Sequence, residues 1–319
     1  MKVLLMKLGA IGDVVHSTII TSAIKSKHPD WEVHYLTNDT LTPILENNVT
    51  IDKVITYNKL GLINYFKIIS ELRKEKYDIV IPLSYTLKLI GLAICANPNK
   101  IGFRKYYKNK SWVEEYFYSA QKLIPDIELP ERLVLNNNKE VENKIKTDIQ
   151  NYPKPYIVLS PGKSTNQIRQ GRVWNIQKWD ILSKKLLEHY NGTVFVIGSQ
   201  SERTSHMKLC KDGVILKSGE YTLEESCAFI SLADIVISGD SGPVHIASAY
   251  NVKTVSILGS TSPDKIKPYG ENGHVVEPHF ECRYCWKKKC KYTKPSELYA
   301  PCIESITVDE VMNKIKNIL

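Results

Sequence analysis

The richest chemistry in this 319-residue chain lies in Gly239-Asp240-Ser241-Gly242-Pro243-Val244-His245. Asp240, Ser241 and Gly242 are good helix-cap residues, and Pro243 suits the first helical position. Ile235-Val236-Ile237 precedes them as a β-branched run of the kind buried in parallel sheets, and Val244 to Tyr250 predicts a short helix. Thr254 to Leu258 reads as the next strand and ends in Gly259-Ser260-Thr261-Ser262-Pro263. Two strand-end loops side by side, one opening a helix, can hold an anion on backbone N–H groups. A capped turn would account for the same residues without any ligand. Asp240 and His245, which packing does not require on this reading, favour a binding site.

Asp13 ends the turn Gly9-Ala10-Ile11-Gly12 after the first strand. It reads as a carboxylate favoured by a helix N-terminus or as a general base at the mouth of a cleft. His16, one turn on, is expected to face the same way. Lys163, Arg169 and Arg172 fill the loop after strand Tyr156 to Ser160 and suit a diphosphate, or else form an ordinary solvated basic loop. Glu202 follows Gly198-Ser199 and would hold ribose hydroxyls or serve as a helix charge. Cys282, Cys285, Cys290 and Cys302 could give four thiolates to structural zinc or iron, with reduced thiols packing a surface loop as the even alternative.

Those residues need elements to position them. Lys2 to Met6, Glu32 to Leu36, Lys53 to Ile55 and Tyr77 to Pro82 read as strands, with helices at Val14 to Lys27 and Asn64 to Lys74. This is βαβ alternation and predicts a parallel sheet. The G-x-G-x-x-G dinucleotide spacing is absent. Asn136 to Pro155 is polar and ends in Pro153 and Pro155, so the domain boundary is placed there. The pattern then repeats, which gives a first domain over 1–152 and a second over 153–306. A C-terminal helix over 307–319 is expected to pack back on the first domain.

Composition agrees with a globular α/β protein of two domains, 43% apolar and 24% charged. Gly239 to Pro243 resembles the nucleophile segment of trypsin-like serine proteases. It is one glycine short, however, and lies in strand–helix alternation rather than an all-β, disulfide-bonded setting. The longest apolar run, Leu89 to Ala96, falls well short of the ~20 residues of a membrane helix. Lys7 interrupts the N-terminal apolar stretch, which therefore fails as a signal peptide, so a cytoplasmic location is expected. The net charge of +9 suits an acidic partner. Arg283, Lys287, Lys288, Lys289, Lys291 and Lys294, interleaved with Tyr284, Trp286 and Tyr292, suit an anionic glycolipid or membrane face. No nucleic-acid fold accompanies them. Arg104-Lys105-Tyr106-Tyr107-Lys108 suits phosphorylated or carboxylated sugars. Cys95, Cys210 and Cys227 read as small core residues.

Gly12-Asp13-Val14-Val15-His16, Arg172-Val173-Trp174, Gly198-Ser199 with Glu202, and Asp240-Ser241-Gly242 with His245 together resemble glycosyltransferase family 9, the lipopolysaccharide heptosyltransferases. The resemblance implies a GT-B fold, two Rossmann-like domains with parallel sheets facing a central cleft. It implies inverting transfer from a nucleotide-sugar, typically ADP-heptose, to a lipopolysaccharide core or related surface glycan, without a catalytic metal or other cofactor. Asp13 would deprotonate the acceptor, Arg172 would hold the diphosphate and Glu202 would meet the ribose. Asp240, Ser241, Gly242 and His245 would line the donor site. The expected partners are the nucleotide-sugar and an anionic glycolipid at the inner face of the cell membrane, with no nucleic acid. Displacing a nucleoside diphosphate needs one base and no acid, unlike the carboxylate pair of a glycosidase. A nucleotide-sugar epimerase of the same fold would need carboxylates converging from both halves. A non-catalytic nucleotide-sugar-binding protein would tolerate loss of Asp13.

Overall fold

Strands that are apolar on both faces pair in parallel because helices must cover each side. The computed structural model describes residues 1–58, 61–162, 168, 170–211, 213–282, 284–287, 290–293 and 298–319. It divides into two units, Met1–Asn137 and Asn138–Leu319.

In the first unit β1 (Lys2–Met6), β2 (Glu32–Asn38), β3 (Lys53–Tyr57), β4 (Ile79–Pro82) and β5 (Lys100–Ile101) form a parallel sheet in the order β3-β2-β1-β4-β5. Val3 to Met6 are wholly buried in it. β1 sits between β2 and β4, pairing Leu5 with Tyr35 on one side and with Ile81 on the other. The chain therefore runs outward from β1 to β3 and then returns beside β1. The carboxyl ends of β1 and β4 are the point where the winding reverses, which is where open α/β sheets bind ligands. Helix α1 (Ile11–Lys27) starts there, α2 (Gly61–Glu75) follows β3, and α3 (Leu87–Cys95) follows β4. Helix α4 (Trp112–Gln121) packs on α1 and starts in a capping box, with Ser111 Oγ accepting from Glu114 N–H and Glu114 accepting from Ser111 N–H.

The second unit opens with α5 (Lys139–Ile149), followed by a parallel sheet in the order β11-β10-β9-β6-β7-β8. Its strands are β6 (Tyr156–Ser160), β7 (Thr193–Val196), β8 (Ile215–Leu216), β9 (Ile235–Gly239), β10 (Lys253–Ile257) and β11 (Gly273–Val276). Here the winding reverses between β6 and β9, so the matching crevice lies beyond Ser160 and Gly239. Its helices are α6 (Ile176–His189), α7 (Arg203–His206), α8 (Leu223–Ser231), α9 (Gly242–Ala249), α10 (Pro263–Ile266), α11 (Pro301–Glu304) and α12 (Val308–Lys316). Helix α7 is short and is followed by a 3₁₀ turn over Met207–Leu209.

Two expectations about domains are corrected. The boundary falls at Asn137/Asn138 rather than at 152/153. The reason is that α5 packs on α8 of the second unit, where Lys144 Nζ lies 2.5 Å from Glu225 Oε1. The C-terminal helix is likewise part of the second unit. Val311, Met312 and Ile315 of α12 are buried in one core with Leu182 and Leu186 of α6 and with Val255 and Ile257 of β10. Trp174 and Trp179 cross edge to face at 5.3 Å in that core, and Trp174 Nε1 donates to the Ile306 carbonyl at 3.1 Å. Of the three cysteines expected in the core, Cys227 is buried and Cys95 and Cys210 are half-buried.

Ile315→Ala is expected to cost about 2–5 kcal/mol, the usual range for a buried aliphatic cut to alanine. The loss should show in urea unfolding and as faster amide exchange in α6. Unchanged protection of α6 would detach α12 from this core.

Candidate functional site

The carboxyl edge of the first sheet gathers a charged cluster around Asp13. Lys7, directly after β1, has an almost fully buried side chain, and Gly9 turns the chain into α1. Lys7 Nζ lies 3.0 Å from Asp13 Oδ2 and donates to Ser84 Oγ beyond β4 at 3.2 Å. From α4, the Tyr116 hydroxyl donates to Asp13 Oδ1 at 3.3 Å. Arg104 stacks over the Tyr116 ring at 4.6 Å and pairs with the wholly buried Glu115 at 2.6 Å. A Cβ at Gly9 would lie 3.3 Å from Asp13 Oδ2, so the turn closes tightly over the pair.

Electrostatics follow from this packing. Burial draws the Lys7 ammonium below its ordinary value, helped by Arg104 and opposed by Asp13. Burial raises the Tyr116 phenol, and the Asp13 carboxylate raises it further, so it remains a donor. His16 is not poised beside Asp13 as expected. Only 1% of it is exposed, and its ring sits edge-on to Trp112 at 6.4 Å. Desolvation, with Lys7 and Arg104 nearby, pulls it down to about 3, so it is neutral.

In the second unit the loop after β6 is pinned across the ends of β9 and β10. Gly171 is left-handed at φ +71°, and its carbonyl accepts from Ser260 N–H at 3.1 Å. A Cβ at Gly259 would lie 2.1 Å from that carbonyl, and one at Gly239 would lie 2.9 Å from the Arg172 carbonyl. Only glycine permits both approaches. The threading delivers Arg172 to the turn after β9, where Nε donates to Asp240 Oδ2 at 2.8 Å and Nη2 lies 2.7 Å from the same oxygen. Nη2 also donates to the Asp240 carbonyl at 3.3 Å, and Nη1 has no protein partner among the described residues.

The structure thus brings Arg172, Asp240, Ser241 and Gly242 together at the start of α9. It corrects the view that packing has no use for Asp240 and His245, which are 7% and 4% exposed. Asp240 anchors Arg172. Ser241 Oγ lies 2.7 Å from Ser238 Oγ, which in turn donates to the Ser160 carbonyl at 2.6 Å and ties β9 to β6. Glu202 stands at the carboxyl edge beyond β7, where Oε2 accepts from the N–H and Oγ of Ser199, both at 2.7 Å. Lys163 and Arg169, the other expected anion contacts, lie outside the described residues, as do Arg283, Lys288, Lys289 and Lys294.

The four cysteines do converge. Cys282, Cys285, Cys290 and Cys302 line one cavity of about 10 Å³, with Ser260 and Phe280 in its wall. Among the described residues, however, no three His, Cys, Asp or Glu side chains form a group that could hold a metal ion. Burial lifts the Cys302 thiol to about 11 and raises Cys282 as well. The expectation of structural zinc or iron gains no support here. The cysteines read instead as packing, Cys302 Sγ lying 3.0 Å from where a Gly171 Cβ would be.

Sequence reasoning missed Lys7, Tyr116 and Gly171. Lys7 carried a signal, a cation set directly after the apolar run Val3 to Met6. Tyr116 carried a weaker one, its place one turn inside a capping box.

A family model described as glycosyltransferase family 9 (heptosyltransferase) matches residues 65–295, and the chain belongs to that family. It is 22% identical over 351 aligned positions to lipopolysaccharide heptosyltransferase 1 of Campylobacter coli, covering all of this chain and 99% of the relative. The solved structure of E. coli ADP-heptose lps heptosyltransferase II superposes with a TM-score of 0.80 at 18% identity, covering 100% of this chain and 98% of that one. TibC from enterotoxigenic E. coli H10407, an iron-containing dodecameric glycosyltransferase, matches with a TM-score of 0.62 at 16% identity, covering 99% of this chain and 75% of TibC. The fold is therefore GT-B, two Rossmann-like units each built on a parallel sheet.

The buried, neutral His16 makes a pH prediction. Its folded value lies below the ordinary 6.5, so the unfolded chain binds the extra proton. The stability is complete above pH 6.5 and is lost as the pH falls toward 3, at up to about 1.4 kcal/mol per unit. Between about pH 6.5 and 5 carboxylates contribute little. Over that window, urea unfolding of His16→Gln should depend less steeply on pH than the wild type. Equal slopes would contradict a buried neutral imidazole.

Proposed function

We propose that this chain transfers a heptose-like sugar from a nucleoside-diphosphate donor to a lipopolysaccharide core or related surface glycan, with inversion and without a metal. The observation that carries the reading is Asp13, held at the winding reversal of the first sheet by Lys7 and Tyr116 with its side chain still 24% exposed. Family membership supports sugar transfer, and the relatives' names support ADP-heptose as donor and a lipopolysaccharide acceptor.

Asp13 takes the proton of the acceptor hydroxyl as that oxygen attacks the anomeric carbon. The bond from that carbon to the diphosphate breaks on the opposite face, and its electron pair leaves with the nucleoside diphosphate. Lys7 and Tyr116 act as positioning residues, holding one carboxylate oxygen each. In the second unit, the N–H groups at the start of α9 and Arg172 Nη1 receive the diphosphate, and Asp240 keeps the guanidinium in place. Gly242 and Ser241 shape the turn, His245 backs the first turn of α9, and Glu202 offers its second oxygen to the ribose. Among the described residues no helix is long and apolar enough to cross a membrane, and we place the enzyme on the cytoplasmic side, where the nucleotide-sugar is.

Asp13→Asn should keep ADP affinity and lower sugar transfer about 10²–10⁴-fold. Parallel loss of both would make Asp13 structural, and undiminished turnover would sink the assignment. Truncating Arg172 would strand the buried Asp240 carboxylate, so Arg172→Lys is the cleaner test of the donor site. It keeps the charge and removes the fork, and calorimetry should show about tenfold weaker ADP binding. An unchanged dissociation constant removes Arg172 from the donor contacts.

A further inference from the structure

The stretch from Ile79 to Val113 contains no carboxylate and six cations, Lys88, Lys100, Arg104, Lys105, Lys108 and Lys110. Two of these are paired with acidic side chains, Arg104 with Glu115 and Lys110 with Glu114. Lys88, Lys100 and Lys108 make no ion pair among the described residues, nor does Lys67 on the neighbouring helix. The acids of α2 turn the other way, Glu71 and Glu75 binding Lys53 and Glu75 also binding Lys2.

Large apolar side chains accompany this charge. Ile63 and Phe66 of α2 are 83% and 64% exposed, Leu87 of α3 is 88% exposed, and Tyr85 just before it is 64% exposed. Phe103, beyond β5, is 38% exposed. α2 and α3 lie side by side, since the Tyr65 hydroxyl donates to the Lys88 carbonyl at 3.3 Å and Arg73 Nε donates to the Cys95 carbonyl at 2.8 Å. Their inner faces are satisfied, with Ile68, Leu72, Leu89 and Leu92 in the core. The outer residues are thus not needed for folding.

Topology gathers them. α2 begins just past the carboxyl end of β3, α3 just past β4, and Phe103 just past β5. In a sheet of parallel strands these ends share one edge, the same edge at which α1 begins and Asp13 stands. Apolar side chains alternate there with cations as direct neighbours, Phe66 with Lys67, Leu87 with Lys88, and Phe103 with Arg104 and Lys105. Apolar groups sunk at a headgroup boundary with lysines beside them are how a peripheral protein sits on an anionic leaflet.

We propose that this edge of the first unit, carried by α2, α3 and the segment after β5, is a docking surface for an anionic phospholipid membrane. The sequence alone suggested membrane contact through the lysine-rich loop around Trp286, in the second unit. There Tyr292 packs on Phe280 at 5.6 Å, Tyr284 bonds to Glu277, and Trp286 and Tyr292 are 42% and 41% exposed, about half as much as Ile63 and Leu87. The first-unit edge has both free apolar area and unpaired positive charge. The purpose of docking rests on the transferase reading, because a lipid-anchored acceptor would be presented beside Asp13. The binding itself does not.

The test is flotation of the full-length protein with vesicles of phosphatidylcholine alone or mixed with phosphatidylglycerol, without sugar or nucleotide. The wild type should float with the anionic vesicles, stay behind with the neutral ones, and lose binding as salt rises. Phe66→Ser/Leu87→Ser and, separately, Lys67→Glu/Lys88→Glu should each weaken vesicle binding about tenfold or more. Both should melt like the wild type and keep wild-type transfer to a delipidated, water-soluble acceptor. Wild-type protein left in the buffer fraction would overturn the proposal, as would variants that float undiminished. A wild-type dimer in sedimentation that Phe66→Ser/Leu87→Ser converts to monomer would assign the face to a second copy instead. Vesicle binding without any sugar transfer would count against the transferase reading alone, and transfer without vesicle binding against this proposal alone.

Discussion

The second unit's site depends on one desolvated ion pair. Asp240 is 7% exposed, and a carboxylate so far from water persists only where a cation meets it. Arg172 does so through two nitrogens on one oxygen and a third contact to the Asp240 backbone. The pair joins the loop after β6 to the turn after β9 across the crevice where the winding reverses. It also depends on glycine at Gly171, Gly239 and Gly259, because side chains there would push the Arg172 segment off the strand ends. A buried pair contributes little net stability, since desolvation offsets the attraction. Its value lies in direction: it fixes the guanidinium with Nη1 left over beside a helix N-terminus.

How far the sequence could be read follows from the range of its signals. Strand runs such as Lys2–Met6 and Tyr156–Ser160, the turns after them and the start of α9 at Gly242 are local, and each was legible. Partners distant along the chain were not. Asp240 and Arg172 lie 68 residues apart and Asp13 and Tyr116 lie 103 apart, and no spacing rule announces such contacts. His16 illustrates the limit. Its place one turn after Asp13 predicts a shared face, yet α4 covers that side of α1 and closes the imidazole against Trp112. The placements of α5 and α12 failed for a related reason. A helix between two domains shows in its sequence which face is apolar, but not which core receives it.

The cysteines show the same gap between pattern and environment. Their spacing matches that of a thiolate metal site, and the fold brings all four to one cavity. What the spacing does not convey is that Cys302 belongs to the core beside Ala300 and Ile303, with Gly171 backed against its sulfur. A thiol placed there stabilises the loop that carries Arg172 by packing. The tight fit that serves the loop leaves room for about one water.

Asp13 raises a different question, how a carboxylate can be both held and available. Each of its oxygens has one protein partner, Lys7 on Oδ2 and Tyr116 on Oδ1. An ionised carboxylate has about four acceptor positions, so two protein donors leave about two for solvent or an incoming hydroxyl. The two donors also come from different elements, the end of β1 and the first turns of α4, so they fix the plane of the group as well as its position. Lys7 is itself drawn below its ordinary value by burial, and Tyr116 is raised, so the cation is the less firmly charged partner and the phenol the firmer donor.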